Sequence, residues 1–220
     1  LQRMEEILNE PSEDGLAKTM DRFWQSLQDL ADDPTDSGAR SVVRQRGIAV
    51  ADTFNYLHNS LTAIQGDLKN EIDVTVKALN SLARQLNHIN EQIAEVEPHG
   101  YLPNDLYDER DRLLDQMSEL ANIKVTYSSS GGNSLDIAEG KATVAFVAQD
   151  GTEYTIVDGK NLQYKKVAVT YDEAYVSELT IGGSKVTFEN MTKVPIGKLS
   201  ALIEMNGFKS NGTAYGVYPE

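Results

Sequence analysis

From about Ala39 to Val96 the chain runs without a proline, and its apolar residues recur at steps of three and four. Val43, Val50, Phe54, Leu57, Leu61, Ile64, Leu68, Ile72, Leu79, Leu82, Leu86, Ile89, Ile93 and Val96 form a near-continuous stripe. Such a stripe belongs to a helix lying along partner helices in a coiled-coil-like bundle. At about 1.5 Å of rise per residue, this stretch spans roughly 85 Å, far more than the three turns of an average helix. An element of that length builds architecture more readily than an active site. The heptad is interrupted once, where Ile72 follows Leu68 by four residues. An insertion of this kind locally unwinds a left-handed supercoil, and ordinary drift in a bundle helix also produces it.

The flanking pattern is helical on both sides. Leu1, Met4 and Leu8 read as the tail of a helix, and residues 9–15 read as a turn rich in helix breakers. Leu16, Met20, Phe23, Leu27 and Leu30 predict a second helix, in which Phe23 and Trp24 are too large to be hidden on one narrow face together. A breaker at residues 32–38 precedes the long helix. Pro98 and Gly100 stop it, and Leu106, Leu113, Leu114, Met117 and Leu120 predict a shorter helix over residues 105–122, with Asn104 or Asp105 as its cap. The short connection makes that helix an antiparallel neighbour of the long one.

The texture changes at Ile123. Up to about Lys193 the chain is rich in Val, Thr, Tyr and Ile, with turn signals at residues 130–133, 139–140, 150–151, 158–159 and 182–183. Alternation in residues 124–127, 163–169 and 185–188 predicts short strands in a small antiparallel sandwich or barrel. Beyond Pro195 the helical pattern returns with Ile196, Leu199, Leu202 and Ile203. The expected fold is therefore α+β. An elongated antiparallel helical bundle occupies residues 1–122, an inserted antiparallel β-domain residues 123–194, and a segment returning to the bundle residues 195–220.

Charge narrows the function classes. The net charge is −14, which argues against nucleic acid and against an anionic membrane surface, since both demand clustered Lys and Arg. Residues 1–122 hold 23 acidic and 11 basic side chains, residues 123–220 hold 11 and 9, so the two modules differ in character. The absence of cysteine excludes disulfides and thiolate metal sites. The longest apolar run, Ala142 to Ala148, is too short to span a bilayer. The chain opens inside a helical pattern and closes without a final element, which reads as a fragment of a longer protein.

No constellation points to catalysis or to a cofactor. Asp105, Asp108, Asp111 and Asp115 follow helical spacing rather than that of a calcium loop, and read as a solvated face in which Arg110 and Arg112 form local surface pairs. His58, His88 and His99 lack metal-ligand spacing, and no phosphate loop, dinucleotide fingerprint or nucleophile elbow occurs. Asn190-Met-Thr192 and Asn211-Gly-Thr213 match the glycosylation sequon, a weak signal.

Four stretches carry a resemblance. They are Asn9-Glu-Pro-Ser-Glu-Asp-Gly-Leu16, Phe23-Trp-Gln-Ser-Leu-Gln-Asp-Leu-Ala31 followed by Pro34 and Ala39-Arg40, Leu86-Asn-His-Ile-Asn-Glu-Gln-Ile93, and Asn104-Asp-Leu-Tyr-Asp-Glu-Arg-Asp-Arg-Leu-Leu114. In this order they resemble the hook-associated protein 1 family, the first hook–filament junction proteins of bacterial flagella. Ile196-Gly-Lys-Leu-Ser-Ala-Leu202 resembles the family's return into its bundle, whereas Thr143-Val144 stands where the family commonly has Leu-Val. The resemblance implies a secreted, extracellular structural protein with hook protein, the second junction protein and its own copies as partners. It also implies a structural signature at Asn104, Leu106, Asp108, Arg110, Asp111 and Leu114, which fixes the short helix against the long one. A fragment without the family's terminal helices is expected to be monomeric. Two other readings are a flagellin-like filament protein and a coiled-coil secreted binding module or adhesin. A wall hydrolase has little support, because no acid pair or nucleophile sits in a recognisable motif.

Overall fold

A computed structural model describes residues 15–148, 150–186, 197–210 and 213–216. The helix tail expected at residues 1–9, the turn of residues 9–15 up to Asp14, the sequon at Asn190 and the first residues of the bundle return at Pro195 and Ile196 lie outside the described residues. The chain divides into two compact units, Leu1–Asp67 and Leu68–Glu220. The division falls where the heptad is interrupted, and not at the 122/123 boundary that texture alone predicts. The reason lies in the packing of the second unit, where the rear of the long helix shares one core with the strands.

In the first unit, helix α1 (Leu16–Asp32) is followed by the start of α2 (Ser37–Val96), a single helix of 60 residues. Asp36 starts α2: its Oδ1 accepts the N–H of Gly38 at 2.7 Å, satisfying one of the orphan donors of the first turn. The two aromatics of α1 take different environments. Phe23 lies over Gly47, where a Cβ would sit 3.4 Å from the ring, while Trp24 is 64% exposed. None of the α2 residues from 37 to 67 is buried, and Phe54 in the predicted stripe is half exposed.

Among its described residues the second unit contains the rear of α2, a 3-10 turn (Glu97–His99), α3 (Asn104–Leu120), nine strands and α4 (Lys198–Asn206). Here the stripe is buried: Ile72, Leu79, Leu86 and Ile93 are fully covered. Strands β1 (Ile123–Ser128), β2 (Lys141–Val147), β3 (Glu153–Asp158) and β4 (Gln163–Tyr164) form one antiparallel sheet in sequential order. Strands β5 (Val167–Asp172), β6 (Tyr175–Ile181), β7 (Ser184–Val186), β8 (Phe208–Ser210) and β9 (Thr213–Tyr215) form the second. One core joins Leu79, Leu86, Leu113, Met117, Val144, Ile156, Leu179, Leu199 and Ile203, so helices and both sheets cover the same apolar interior.

Three local expectations change. The alternation at residues 163–169 is not one strand: Lys165 donates its N–H to the Ile156 carbonyl at 2.7 Å, and the chain then leaves the first sheet to begin β5 in the second. The return segment gives α4, which joins the core and pairs Lys198 with Glu71 at 2.6 Å, but then adds β8 and β9. β8 runs parallel to β6, with Val176 opposite Phe208, so the second sheet is mixed rather than purely antiparallel. Neither Asn104 nor Asp105 caps α3 through its side chain. The N–H groups of Leu106 and Tyr107 bond instead to the Pro103 carbonyl, and Asp105 lies within the first turn.

The seam between α2 and the sheets is polar as well as apolar. Asn90 is fully buried; its Nδ2 donates to the Ala142 carbonyl at 2.8 Å, and its Oδ1 accepts the Ala142 N–H at 2.9 Å. Asn80 repeats the arrangement on Val167, with both distances 2.8 Å. Each carboxamide thus substitutes for a neighbouring strand and satisfies both backbone groups at the start of β2 and of β5. Asp73 accepts a hydrogen bond from Tyr171 Oη at 2.9 Å, and burial together with that bond pushes the Tyr171 phenol well above its usual range. Asn90→Ala leaves a buried donor and acceptor unpaired, and is expected to lower stability by about 2–4 kcal/mol. Asn80→Ala, at a half-buried position, is expected to cost less. Urea melts of the two variants check the order.

Candidate functional site

The predicted signature lies on α3, and the structure separates its members. Helical spacing puts Tyr107, Arg110, Leu113, Leu114 and Met117 on the face that enters the core. Leu114 is buried there and Leu106 is half-buried, while Asn104, Asp108 and Asp111 are exposed. Arg112 makes the expected surface pair with Glu109. Arg110 does not make only a surface pair: it is 0% exposed. Its head is received by Tyr107 and Asp111 of the same helix and by Tyr127, Glu139 and Gly140, which the sequence separates from it.

Those groups form a closed arrangement around Gly140. The Arg110 Nη1 donates to the Gly140 carbonyl at 3.1 Å, Nη2 pairs with the Glu139 carboxylate, and Nε donates to Asp111 Oδ1 at 2.9 Å. The guanidinium carbon lies 5.0 Å from the ring centre of Tyr107 and 4.7 Å from that of Tyr127, within cation–π range of both. On the other side of the same peptide, the Gly140 N–H donates to Glu97 Oε1 at 2.9 Å. The same oxygen accepts the Tyr107 hydroxyl at 2.5 Å. Glu97 is also 0% exposed. Both polar groups of one glycine are thus held, its carbonyl by α3 and its N–H by the end of α2.

Only glycine fits. Its φ is +79°, in the left-handed region, and an added Cβ would lie 2.3 Å from the Ser128 carbonyl oxygen. Ser128 ends β1 and Lys141 opens β2, so this close approach registers the 129–140 connection against the sheet. The N–H of Asn133 bonding to Pro98 O at 3.1 Å fastens the same connection to the turn between α2 and α3.

The electrostatics follow from burial and partners. Burial pulls the Arg110 guanidinium downward, but its hydrogen bonds to the Glu139 and Asp111 carboxylates outweigh it and hold the group above its ordinary value. Burial, reinforced by the hydrogen bond to Glu97, pushes the Tyr107 phenol up to about 12. Arg110 and Tyr107 thus keep their protons across the physiological range and serve as donors to this arrangement. Together the contacts lock Gly140 in place.

Elsewhere the surface offers little chemistry. A groove of about 410 Å³ is lined by Arg84, Gln85, Asn87, His88, Glu91 and Tyr164, where Glu91 accepts from Asn87 at 2.7 Å and pairs with His88 at 3.3 Å. Among the described residues no group of three or more His, Cys, Asp or Glu converges as a metal site, and no helix is long and apolar enough to cross a membrane.

Residues 1–214 match the model of the flagellar hook-associated protein FlgK helical domain. The chain belongs to this family. It is 44% identical to flagellar hook-associated protein 1 of Bacillus subtilis (strain 168), over all of this chain and 44% of that protein. It is 26% identical to the protein of the same description from Escherichia coli (strain K12), over 60% of this chain and 25% of the relative. The fold matches the flagellar hook junction protein FlgK from Burkholderia pseudomallei with a TM-score of 0.72 at 20% identity, covering 92% of this chain and 35% of that one. The chain thus spans less than half the length of the relatives it matches. The family resemblance read from residues 9–114 is borne out, and the flagellin-like and adhesin readings are not favoured.

Glu97, Asn80 and Asn90 were missed by the sequence reading, and Gly140 reads there only as part of a turn. A signal was present: Asn80 follows Asp73 by seven residues, and Glu97 follows Asn90 by seven, so a polar stripe runs at the heptad period beside the apolar one.

Proposed function

We propose that this chain is the helical-domain portion of a junction protein that joins hook to filament in the bacterial flagellum. The reading places it outside the cell after secretion, with hook protein, the second junction protein and copies of itself as partners. Its role is mechanical rather than catalytic. The observation that carries the reading is the lock at Gly140, in a chain of the hook-associated family: Arg110 from α3 and Glu97 from the end of α2 hold one peptide between them. Such a lock makes the helical hairpin and the first sheet one stiff piece, and a junction between a flexible hook and a stiffer filament needs a part that transmits torque without bending. The Asn80 and Asn90 pairs extend the same fastening along the helix.

Deleting the full gene is expected to leave cells with hooks but no filaments, and filament protein is expected in the medium because its docking surface is gone. A plasmid copy should restore filaments. A copy carrying Leu106→Asp and Leu114→Asp should not, since Leu114 lies in the core and Leu106 is half-buried on the same helix. Electron microscopy of the cells and gels of the medium give the result. Swimming cells with normal filaments after deletion would reject the junction role, and filament loss without secreted filament protein would place the defect in export.

A further inference from the structure

The groove that α2 and β4 line together holds recognition groups that the lock at Gly140 does not use. Arg84, His88 and Glu91 follow one another at steps of four and three, so they share one face of α2, and Tyr164 joins them from β4. Tyr164 is 44% exposed, and among the described residues no cation or second ring lies against it. By contrast, Tyr107 and Tyr127 lie against Arg110, Tyr171 against Lys69 and Tyr175 against Lys209, and Tyr215 stacks on Phe208. Neither the Tyr164 hydroxyl nor the exposed Arg84 guanidinium has a hydrogen-bond partner among the described residues. Gln85 spends its Nε2 on Ser81, at 3.2 Å from both the carbonyl and the hydroxyl, and its Oε1 remains an acceptor without a donor there. Asn87, 7% exposed, gives its Nδ2 to Glu91 at 2.7 Å; that bond fixes the amide, and its Oδ1 accepts nothing.

These groups select by chemistry. Arg84 and the Tyr164 hydroxyl donate, while Gln85 and Asn87 offer oxygens, so a matching ligand both donates and accepts at neighbouring atoms. A carboxylate or sulfate only accepts; it would face Glu91 and leave the two amide oxygens unpaired. A metal cation would meet the fixed charge of Arg84. A hydrocarbon would desolvate every polar group of the lining and pair none of them. A pyranose meets all the demands at once. Its adjacent hydroxyls donate and accept, and its C–H face lies flat on an aromatic ring, whose own face carries negative charge. The volume of about 410 Å³ suits such a ring. We propose that this groove is a saccharide site, in which Tyr164 stacks on one face of a neutral pyranose and Arg84, Gln85 and Asn87 take its hydroxyls. The site adds to the junction role and does not rest on it.

Saturation-transfer NMR on the full chain tests the site, with glucose, galactose and N-acetylglucosamine as neutral probes and acetate and sulfate as anions. At least one neutral sugar is expected to bind with a Kd on the order of 1 mM, with the strongest transfer to the C–H protons of one ring face. Tyr164→Ala should weaken that binding about tenfold, and Tyr164→Phe, which keeps the ring, by about threefold or less. Arg84→Ala should weaken it by about threefold to tenfold. Lys77→Ala, exposed on the same helix but outside the groove, should bind as the parent does. Tyr164 and Arg84 are both exposed, so melts by circular dichroism should match the parent; if Tyr164→Ala melts early, Arg84→Ala and the one-sided transfer in the parent decide. No neutral sugar bound at concentrations well above that Kd would overturn the site. So would binding that survives both Tyr164→Ala and Arg84→Ala unchanged. Acetate or sulfate bound where no neutral sugar binds would make the groove an anion site and overturn the saccharide assignment.

Discussion

Arg110→Ala is expected to destabilise the second unit by about 2–4 kcal/mol, the range for leaving a buried carbonyl unpaired and opening a void where a buried side chain stood, since the partner carboxylates of Glu139 and Asp111 are half exposed and stay solvated. The guanidinium bonds to Gly140, Glu139 and Asp111 and lies against two tyrosine rings, so truncation leaves the Gly140 carbonyl without its donor and opens a void between Tyr107 and Tyr127. Two further variants separate packing from charge. Arg110→Met keeps most of the apolar stem and removes the donors; it should remain about 2 kcal/mol below the parent if the hydrogen bonds matter. Arg110→Lys keeps the charge but lacks the planar fork that reaches a carbonyl and two carboxylates at once, and should fall between the parent and alanine. Urea melts followed by circular dichroism give all three values. A methionine variant as stable as the parent would show that Arg110 serves as filler alone.

Leu79→Asp is expected to be still more damaging. Leu79 is fully buried in the core shared by α2, α3 and the sheets. An aspartate there must either bury a charge without a partner or take up a proton, and both cost several kcal/mol. Against a typical domain stability of about 5–15 kcal/mol, one such change removes much of the margin. Val74→Asp is the matched control. It lies on the same helix five residues earlier, is 58% exposed, and should change stability by no more than about 0.5 kcal/mol. Equal melts for Leu79→Asp and the parent would mean that the stripe does not face a core at this level.

These two positions also mark how far the sequence could be read. The apolar stripe was legible because its period depends only on local helix geometry, and the buried Ile72, Leu79, Leu86 and Ile93 all belong to it. Which part of the stripe is buried was not legible, since periodicity says which residues share a face and not what lies opposite. Residues 43–64 carry the same pattern as residues 72–93 and yet none of them is buried. Arg110 stands in an acidic run and reads as a surface residue, and the sequence gives Asn90 and Glu97 no partner at all, although both are fully buried. Polar side chains on a helix belong to solvent unless a distant strand arrives with groups to match.

By itself, then, the sequence determined the long proline-free helix, the short helix after Pro98, the change to strands at Ile123 and the family to which the chain belongs. Each of these rests on local propensity, periodicity or a contiguous motif. The tertiary structure alone decided the rest. The rear of α2 joins the sheets rather than a purely helical domain, residues 163–169 are shared between two sheets, β8 and β9 extend the second, and one glycine is held by residues 43 positions before it in the case of Glu97 and 30 before it in the case of Arg110. The physical reason is the same throughout. A buried polar group must find its partner wherever the fold supplies one, and that partner's place in the chain leaves no mark in the neighbouring residues.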